Sequence, residues 1–490
     1  MISRRGLIAG LMAGWAMPVL AEAPVTSPRP VPRGGKPRPE LPGLESLVTE
    51  AKLGGVTGLV VLDAASGAVI EAFQPDALVP PASVAKTITA LFALDRLGPG
   101  YRFVTRLLAT GPVVQGVVQG DLVLAGGGDP VLDTDDLGDM AAALKAAGVK
   151  GVTGRYRVWA AALPAIERIS DDQPVQVGYN PAISGLNLNF NRVNLEWKRA
   201  GSDWSLSMDA RGERFLPPVG MARARVARRE VPIFTYERDG TEELWTVASA
   251  ALGKGGSRWL PVRQPALYAG EVFRTLAAAQ GIDLPEAVIE TAGPMPGGLE
   301  VVRHESEPLE DVLRDMLRHS TNLTAEVVGL TASGQPDLFL SAREMSAWAA
   351  ARLGMVSSFG DHSGLGIGSR VTPQDMARGI AAALRTPGGA ILPGILRDVK
   401  MRDAKGVAVE ASPIRVVAKS GTLNFVSGLA GVIAPPGGRQ MVFAVFSADA
   451  ARREAIPVEE REEPPGISAW LKRARGLQGK LIHRWGTVYG

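Results

Sequence analysis

The order of the secondary-structure signals predicts an α/β (α+β) chain carrying a long β-rich insertion. Three observations carry this expectation. Near the start, the β-branched run Val56–Asp63 turns into a second strand and then a helix over 82–97. From about 98 to 298 the texture changes to short β-rich pieces separated by Gly and Pro turns. Beyond 299, helices with a 3.6-residue apolar period return and give way to strands.

Each element has a local cause. Ala64-Ala65-Ser66-Gly67 turns the first strand back, and Pro80-Pro81 stops the extended chain. The helix over 82–97 sets Val84, Ile88, Leu91 and Phe92 on one face and ends at Gly98-Pro99-Gly100. Inside the β-rich block, strands are expected at 103–109 and 121–124, and a helix near 137–147. Helices follow over 308–317, 322–330, 341–353 and 373–385. The last opens on Thr372-Pro373, a capping residue and then a proline at the first helical position. Strands are expected at 415–418, 426–433 and 441–447. The sequence contains no internal repeat.

Composition narrows the function. The 490 residues hold 53 Lys+Arg against 50 Asp+Glu, a formal net charge of +3 without the basic stripe of a nucleic-acid binder. There is no cysteine, which excludes disulfides, thiol nucleophiles and Cys-ligated metals. The four histidines, His304, His319, His362 and His483, form no i,i+4 pair for zinc, and they leave few candidates for a histidine base. No metal and no cofactor are expected. Residues 1–23 read as a secretory signal: Arg4-Arg5, an apolar run from 6 to 20, then Ala21-Glu22-Ala23 for cleavage. That run is shorter than the roughly 20 residues a bilayer needs, and it contains Pro18. Ser3-Arg4-Arg5 leaves the twin-arginine and general secretory routes both open. Residues 24–43, with seven prolines, read as a spacer. An exported protein with at most peripheral membrane contact is expected.

Three short motifs occur in one order: Ser83-Val84-Ala85-Lys86, Ser320-Thr321-Asn322 and Lys419-Ser420-Gly421. Ser83 falls in a first helical turn, where N–H groups are unpaired and the dipole favours negative charge. Lys86 falls on the same face one turn later. Among apolar neighbours and near a second cation, Lys419, it loses its proton more easily and can serve as general base. Ser320 and Asn322 lie where two helices meet. The hydroxyl can relay a proton to a leaving amine, and the amide can fix Lys86 and a substrate carbonyl. Lys419-Ser420-Gly421-Thr422 ends a strand whose edge can add an extended peptide, with Lys419 and Ser420 or Thr422 meeting its terminal carboxylate. Gly421 leaves room for close approach to the backbone, and the N–H of Thr422 can join that of Ser83 in an oxyanion hole.

The trio resembles that of the penicillin-recognising serine acyl transferases. The 233 residues between Lys86 and Ser320 exceed what a compact β-lactamase-like fold has there. Leu124-Ala-Gly-Gly-Gly-Asp-Pro-Val-Leu132, Leu186-Asn-Leu-Asn-Phe-Asn191, Met316–Glu326 and Asp361-His-Ser-Gly-Leu365 are similar to segments of the D-alanyl-D-alanine carboxypeptidase/endopeptidase family, the class C low-molecular-mass penicillin-binding proteins. The resemblance covers about 44–450. It implies a β-lactamase/transpeptidase-like catalytic domain, an antiparallel sheet flanked by helices. Its two parts are 44–97 and 299–490, the latter ending in a C-terminal helix, with β-rich domain or domains inserted over 98–298. It also implies a periplasmic serine carboxypeptidase, with endopeptidase activity on cross-links. Peptidoglycan stem peptides would be its substrates and β-lactams its inhibitors.

The chain departs from the family at Thr321, where Asp is common, and at His362 and Gly366, where Gly and Ser are usual. No substrate contact is therefore assigned to Ser363. Two alternatives stay open. A β-lactamase is one, although the Glu-x-x-Leu-Asn and Tyr-x-Asn deacylation elements are absent. A murein-binding protein without turnover is the other, against which the complete motifs weigh. Gly126-Gly127-Gly128-Asp129 reads as a structural turn, Trp159, Trp197 and Trp204 as core, and the tail from 467 to 485 as a helix packed on the sheet.

Overall fold

A computed structural model describes residues 41–403 and 406–490. The expected export signal, and residues 24–40 of the expected spacer, lie outside the described residues.

Both ends of the described chain build one antiparallel sheet of six strands. In chain order these are β1 (Val56–Asp63), β2 (Val69–Phe73), β3 (Arg397–Asp398), β4 (Arg415–Leu423), β5 (Val426–Ala434) and β6 (Met441–Ala448). The spatial order is β3-β4-β5-β6-β1-β2. The junction of the two ends is the β1/β6 pair, in register from Val56 opposite Ala448 to Asp63 opposite Met441. Alternation along these strands gives the sheet two apolar faces. Val60, Leu62, Val442, Ala444 and Phe446 point into one core, while Leu59, Val61, Phe443 and Val445 point into another.

Two layers of helix cover those faces. The second core is closed by α1 (Leu44–Ala51) and the 23-residue terminal helix α5 (Ile467–Tyr489), whose Trp470, Leu477, Leu481 and Trp485 are buried. The reading of the tail as a helix packed on the sheet holds. A polar latch adds to it: Arg484, Trp485 and Tyr489 all bond the Glu71 carboxylate on β2. Burial alone would raise that carboxyl, but these bonds outweigh it and hold it below the ordinary glutamate value.

On the other face lies α2 (Ala85–Leu97), preceded by a 3₁₀ turn over Ala82–Val84. The apolar face expected of this helix is only part of what is covered. Ala85 to Leu94 is buried without interruption, because α2 runs between the sheet and two further helices, α3 (Leu309–His319) and α4 (Asn322–Ser333). Polar residues in such a helix must find partners inside the protein. Lys86 and Thr89 find theirs in Asn322 and in the main-chain oxygens of Ser363 and His362, whereas the Thr87 hydroxyl is left without one.

The intervening block has its own core. A five-stranded sheet runs Ala287–Glu290, Tyr156–Trp159, Leu122–Ala125, Val104–Ala109, Leu299–Glu305, and three three-stranded sheets accompany it. The helix Pro265–Ala279 escapes the β-rich reading of this block, although Pro at its first position marks its start. Leu299–Glu305 pairs with Val104–Ala109, so the chain returns toward α3 through residues 306–308. The glycine turn at 126–128 is structural, as expected: a Cβ at Gly126 would meet Gly185 O at 2.4 Å, and one at Gly127 would meet Val104 O at 2.2 Å.

Replacing Trp485 by alanine removes a fully buried ring and one bond to Glu71. We expect a loss of about 3–5 kcal/mol, the range for large aromatic truncations. A lowered urea midpoint with the fold retained checks it.

Candidate active site

Ser83 sits in the 3₁₀ turn at the mouth of α2, half-buried. Ala82 before it holds a positive φ of 48°, a conformation that costs an L-residue about 1–2 kcal/mol. Two glycines press against this turn. A Cβ on Gly364 (φ 73°) would lie 1.9 Å from Ala82 O, and one on Gly421 would lie 2.7 Å from Pro81 O and 2.9 Å from Ser83 N. The space left by Gly421 is thus filled by the serine turn. That corrects the sequence expectation that it serves substrate approach, and the reason is steric: β4 cannot lie this close to Ser83 with a side chain in between.

Lys86, one turn on, has no exposed surface. Its Nζ lies 2.7 Å from Asn322 Oδ1, 2.7 Å from the main-chain oxygen of Ser363 and 3.0 Å from Ser83 Oγ. Two of these partners can only accept. A neutral amine has two N–H groups, so it donates to both and turns its lone pair toward Ser83, whose hydroxyl then donates. Burial, reinforced by the charge of Lys419, pulls this lysine down to about 7, against the opposing pull of Glu326 and Asp361. The neutral form is therefore well populated near neutrality.

Ser320 is the first of the two residues between α3 and α4, in the left-handed region at φ 60° and ψ 37°. That sharp junction aims Ser320 and Asn322 at the two lysines. Lys419, nearly fully buried on β4, donates to Ser320 Oγ at 3.0 Å and to Ser420 O at 2.7 Å. Burial, then the nearby Arg397 charge, lower it to about 8. The Asn322 amide is used at both ends, since its Nδ2 donates to Tyr179 O at 2.8 Å. Neither Ser320 nor Asn322 caps a helix with its side chain.

Ser83, Ser320, Asn322 and Thr422 share a cavity of about 300 Å³. The five expected residues form two bonded groups facing this cavity, Ser83, Lys86 and Asn322 on one side and Ser320 with Lys419 on the other, and Thr422 opens onto the same space. Ser420 differs: its carbonyl serves Lys419 and its exposed side chain lines a hollow on the other side of β4. Because Ser420 O lies on the outer edge of β4, strand alternation puts the Thr422 N–H and C=O on that edge too. The strand β3 covers this edge only at Val417 and Ala418.

Several participants were not singled out from sequence. Glu326, four residues after Asn322 on the same face of α4, accepts from the N–H groups of His362 and Ser363, fixing the carbonyl that holds Lys86. Burial and the Asp361 charge push it up to about 8. Asp361, itself raised by burial, accepts from Gly364 and Gly366. The Asn322 to Glu326 spacing was the available signal. The Ser363 side chain is buried, so leaving it out of the site agrees with its position. His362 is a core residue: burial lowers it to about 3, and its Nε2 lies 2.6 Å from Ser341 Oγ. The ring fits because Gly329 has no side chain; a Cβ there would meet it at 2.2 Å. A wall of the cavity comes from the inserted block, where Asp172 is gripped by Arg453 at 2.8 Å and by Arg461.

A serine at a helix mouth, a buried lysine beside it and a second lysine–serine pair opposite make up the candidate site. The chain belongs to the D-Ala-D-Ala carboxypeptidase 3 (S13) family, whose sequence model matches residues 42–463, and it is a serine-type peptidase. Among its relatives, a D-alanyl-D-alanine carboxypeptidase of Actinomadura sp. is 27% identical over 80% of this chain and 78% of its own length. The D-alanyl-D-alanine carboxypeptidase DacB of Haemophilus influenzae is 23% identical over 80% and 85%. The solved structure of penicillin binding protein 4 (dacB) from Haemophilus influenzae superposes with a TM-score of 0.71 at 20% identity, covering 90% of this chain and all of that one. The same protein has also been solved in complex with a β-lactam, with a TM-score of 0.70 to this chain at 20% identity and the same coverage. The penicillin-binding, transpeptidase-like fold expected from the motifs is the fold observed.

By ¹³C NMR, Lys86 is expected to titrate near pH 7. Lys419→Met removes the cation that helps to depress it, so the Lys86 midpoint moves upward. An unmoved midpoint would show that the two lysines are not coupled.

Proposed function

We propose that the protein is an exported, periplasmic D-Ala-D-Ala carboxypeptidase that also cleaves peptide cross-links of peptidoglycan, with Ser83 as nucleophile and Lys86 as general base. The observation that carries this is the lysine buried between two obligate acceptors with its remaining valence facing Ser83. The export signal read in residues 1–23 supports the location.

Ser83 Oγ attacks the carbonyl of the penultimate D-Ala while its proton passes to Lys86 Nζ. The oxyanion is held by the main-chain N–H groups of Ser83 and Thr422, at a helix mouth and a free strand edge. The C–N bond then breaks as Ser320, backed by Lys419, passes a proton to the departing amine. The Thr422 hydroxyl and the Lys419 charge receive the substrate carboxylate. Ser320 regains a proton at the expense of the Lys86 ammonium, which leaves Lys86 neutral. Lys86 then deprotonates water, the hydroxide attacks the ester carbonyl, and the proton passes from Lys86 to Ser83 Oγ as the ester C–O bond breaks. A β-lactam opens on Ser83 by the same first step and leaves an acyl-enzyme.

Ser83→Ala should abolish both D-alanine release from a pentapeptide and covalent labelling by a fluorescent penicillin. A label that turned over within seconds would instead support a β-lactamase. The two lysines also set the pH dependence. Lys86 must be neutral, so acylation rises as pH rises through about 7. Lys419 must be charged, so activity falls as pH rises through about 8. A narrow bell between these limbs in kcat/KM is the expected profile; a flat profile from pH 6 to 9 would contradict lysine catalysis.

A further inference from the structure

Behind the outer edge of β4 lies a second hollow, of about 630 Å³. Its floor includes Ser420 and Ser427. One wall is α5 with Arg475 and Gly479, and the other is the segment 397–402. Thr422 lines both this hollow and the Ser83 cavity, so the two adjoin at the strand edge that β3 leaves uncovered.

The hollow is strongly basic in a chain whose net charge is only +3. Arg397, Lys400, Arg402 and Arg475 line it, with Asp398 as the one acid. Asp398 bonds Arg415, and Lys400 is paired with Glu410. Arg397, Arg402 and Arg475 have no carboxylate partner among the described residues. Arg402 lies across α5 where Gly479 leaves room, since a Cβ there would meet its Cδ at 3.3 Å. Gathering exposed cations without counter-charge costs repulsion that an anionic ligand relieves. The Arg397 charge is also felt at Lys419, so this field is continuous with the site.

Position supplies the ligand. Acyl transfer keeps one half of the substrate on Ser83 and releases the other past Ser320, Lys419 and the edge of β4. When the leaving half is a single D-alanine, one carboxylate is satisfied at that edge. A hollow of this volume, in the range that takes drug-sized ligands, is more than one alanine needs. A cross-link releases a whole second stem peptide, which carries several free carboxylates. Resting on the peptidase reading above, we infer that this hollow is the leaving-group subsite for cross-linked peptides, with Arg397, Arg402 and Arg475 binding carboxylates of the departing stem.

The test compares kcat/KM on a D-Ala-D-Ala pentapeptide and on a purified cross-linked muropeptide dimer, for the wild-type protein and for Arg402→Glu/Arg475→Glu. Loss and reversal of two exposed ion pairs should lower the dimer-to-pentapeptide ratio by about tenfold. Arg402→Gln/Arg475→Gln should give a smaller fall, and thermal melting checks that both variants fold. In the wild type, added salt should weaken dimer cleavage more than pentapeptide cleavage. An unchanged ratio overturns the inference, as does a wild-type enzyme that trims the pentapeptide but leaves the dimer intact; in both cases the carboxypeptidase reading stands. Arginine-dependent binding of Ser83→Ala protein to phosphatidylglycerol vesicles, with the ratio unchanged, would reassign the surface and also overturn it. A wild-type protein inert on both substrates would sink the peptidase reading itself.

Discussion

Lys86 carries an ionisable nitrogen into a fully buried position, and the surrounding architecture answers that burial. A charged ammonium in such a position is costly unless paired. Here the cost is met in part by three oxygens and in part by release of the proton, driven by burial and by Lys419. Each oxygen is held by a different piece of chain: the turn before α2, the start of α4 and the loop at 361–366. Moving any one of them would strand a buried donor or acceptor, an outcome worth about 1–3 kcal/mol for each group. The lysine thus specifies the relative positions of three elements as much as it serves them.

The same economy of contact explains the glycines. Gly364 and Gly421 both approach the Ser83 turn, each where a methyl group would overlap main-chain atoms. Ala82 and Ser320 hold left-handed backbone although neither is glycine. Such strain collects where geometry is over-determined by neighbours, and both residues lie next to the side chains that converge on the cavity. The inserted block belongs to this frame as well. Tyr179 O orients the Asn322 amide, and Asp172 ties the block to Arg453 and Arg461.

Much of this was legible in the sequence because it depends on local rules. The continuous apolar runs Val56–Asp63 and Met441–Ala448, the Thr372-Pro373 cap, and the three-residue step from Ser83 to Lys86 all express local rules of strand or helix. The helix Pro265–Ala279 was missed because turn-rich neighbours masked its period. Glu326 and Asp361 were missed for a different reason: a carboxylate inside a motif looks like any other until its burial is known.

Sequence alone determined which groups are present, their order and the chemistry open to them: two serines, two lysines, an amide, no cysteine and no i,i+4 pair of histidines. Only the tertiary structure decided what those groups do to one another. It set the glycine of Lys419-Ser420-Gly421 against the serine turn, turned Ser420 away from the cavity, made His362 a core residue and gave the Ser363 carbonyl to Lys86. The reason is physical. Bonding period acts over four residues, whereas desolvation and charge coupling depend on distances between atoms that lie 236 positions apart in the chain, as Lys86 and Asn322 do.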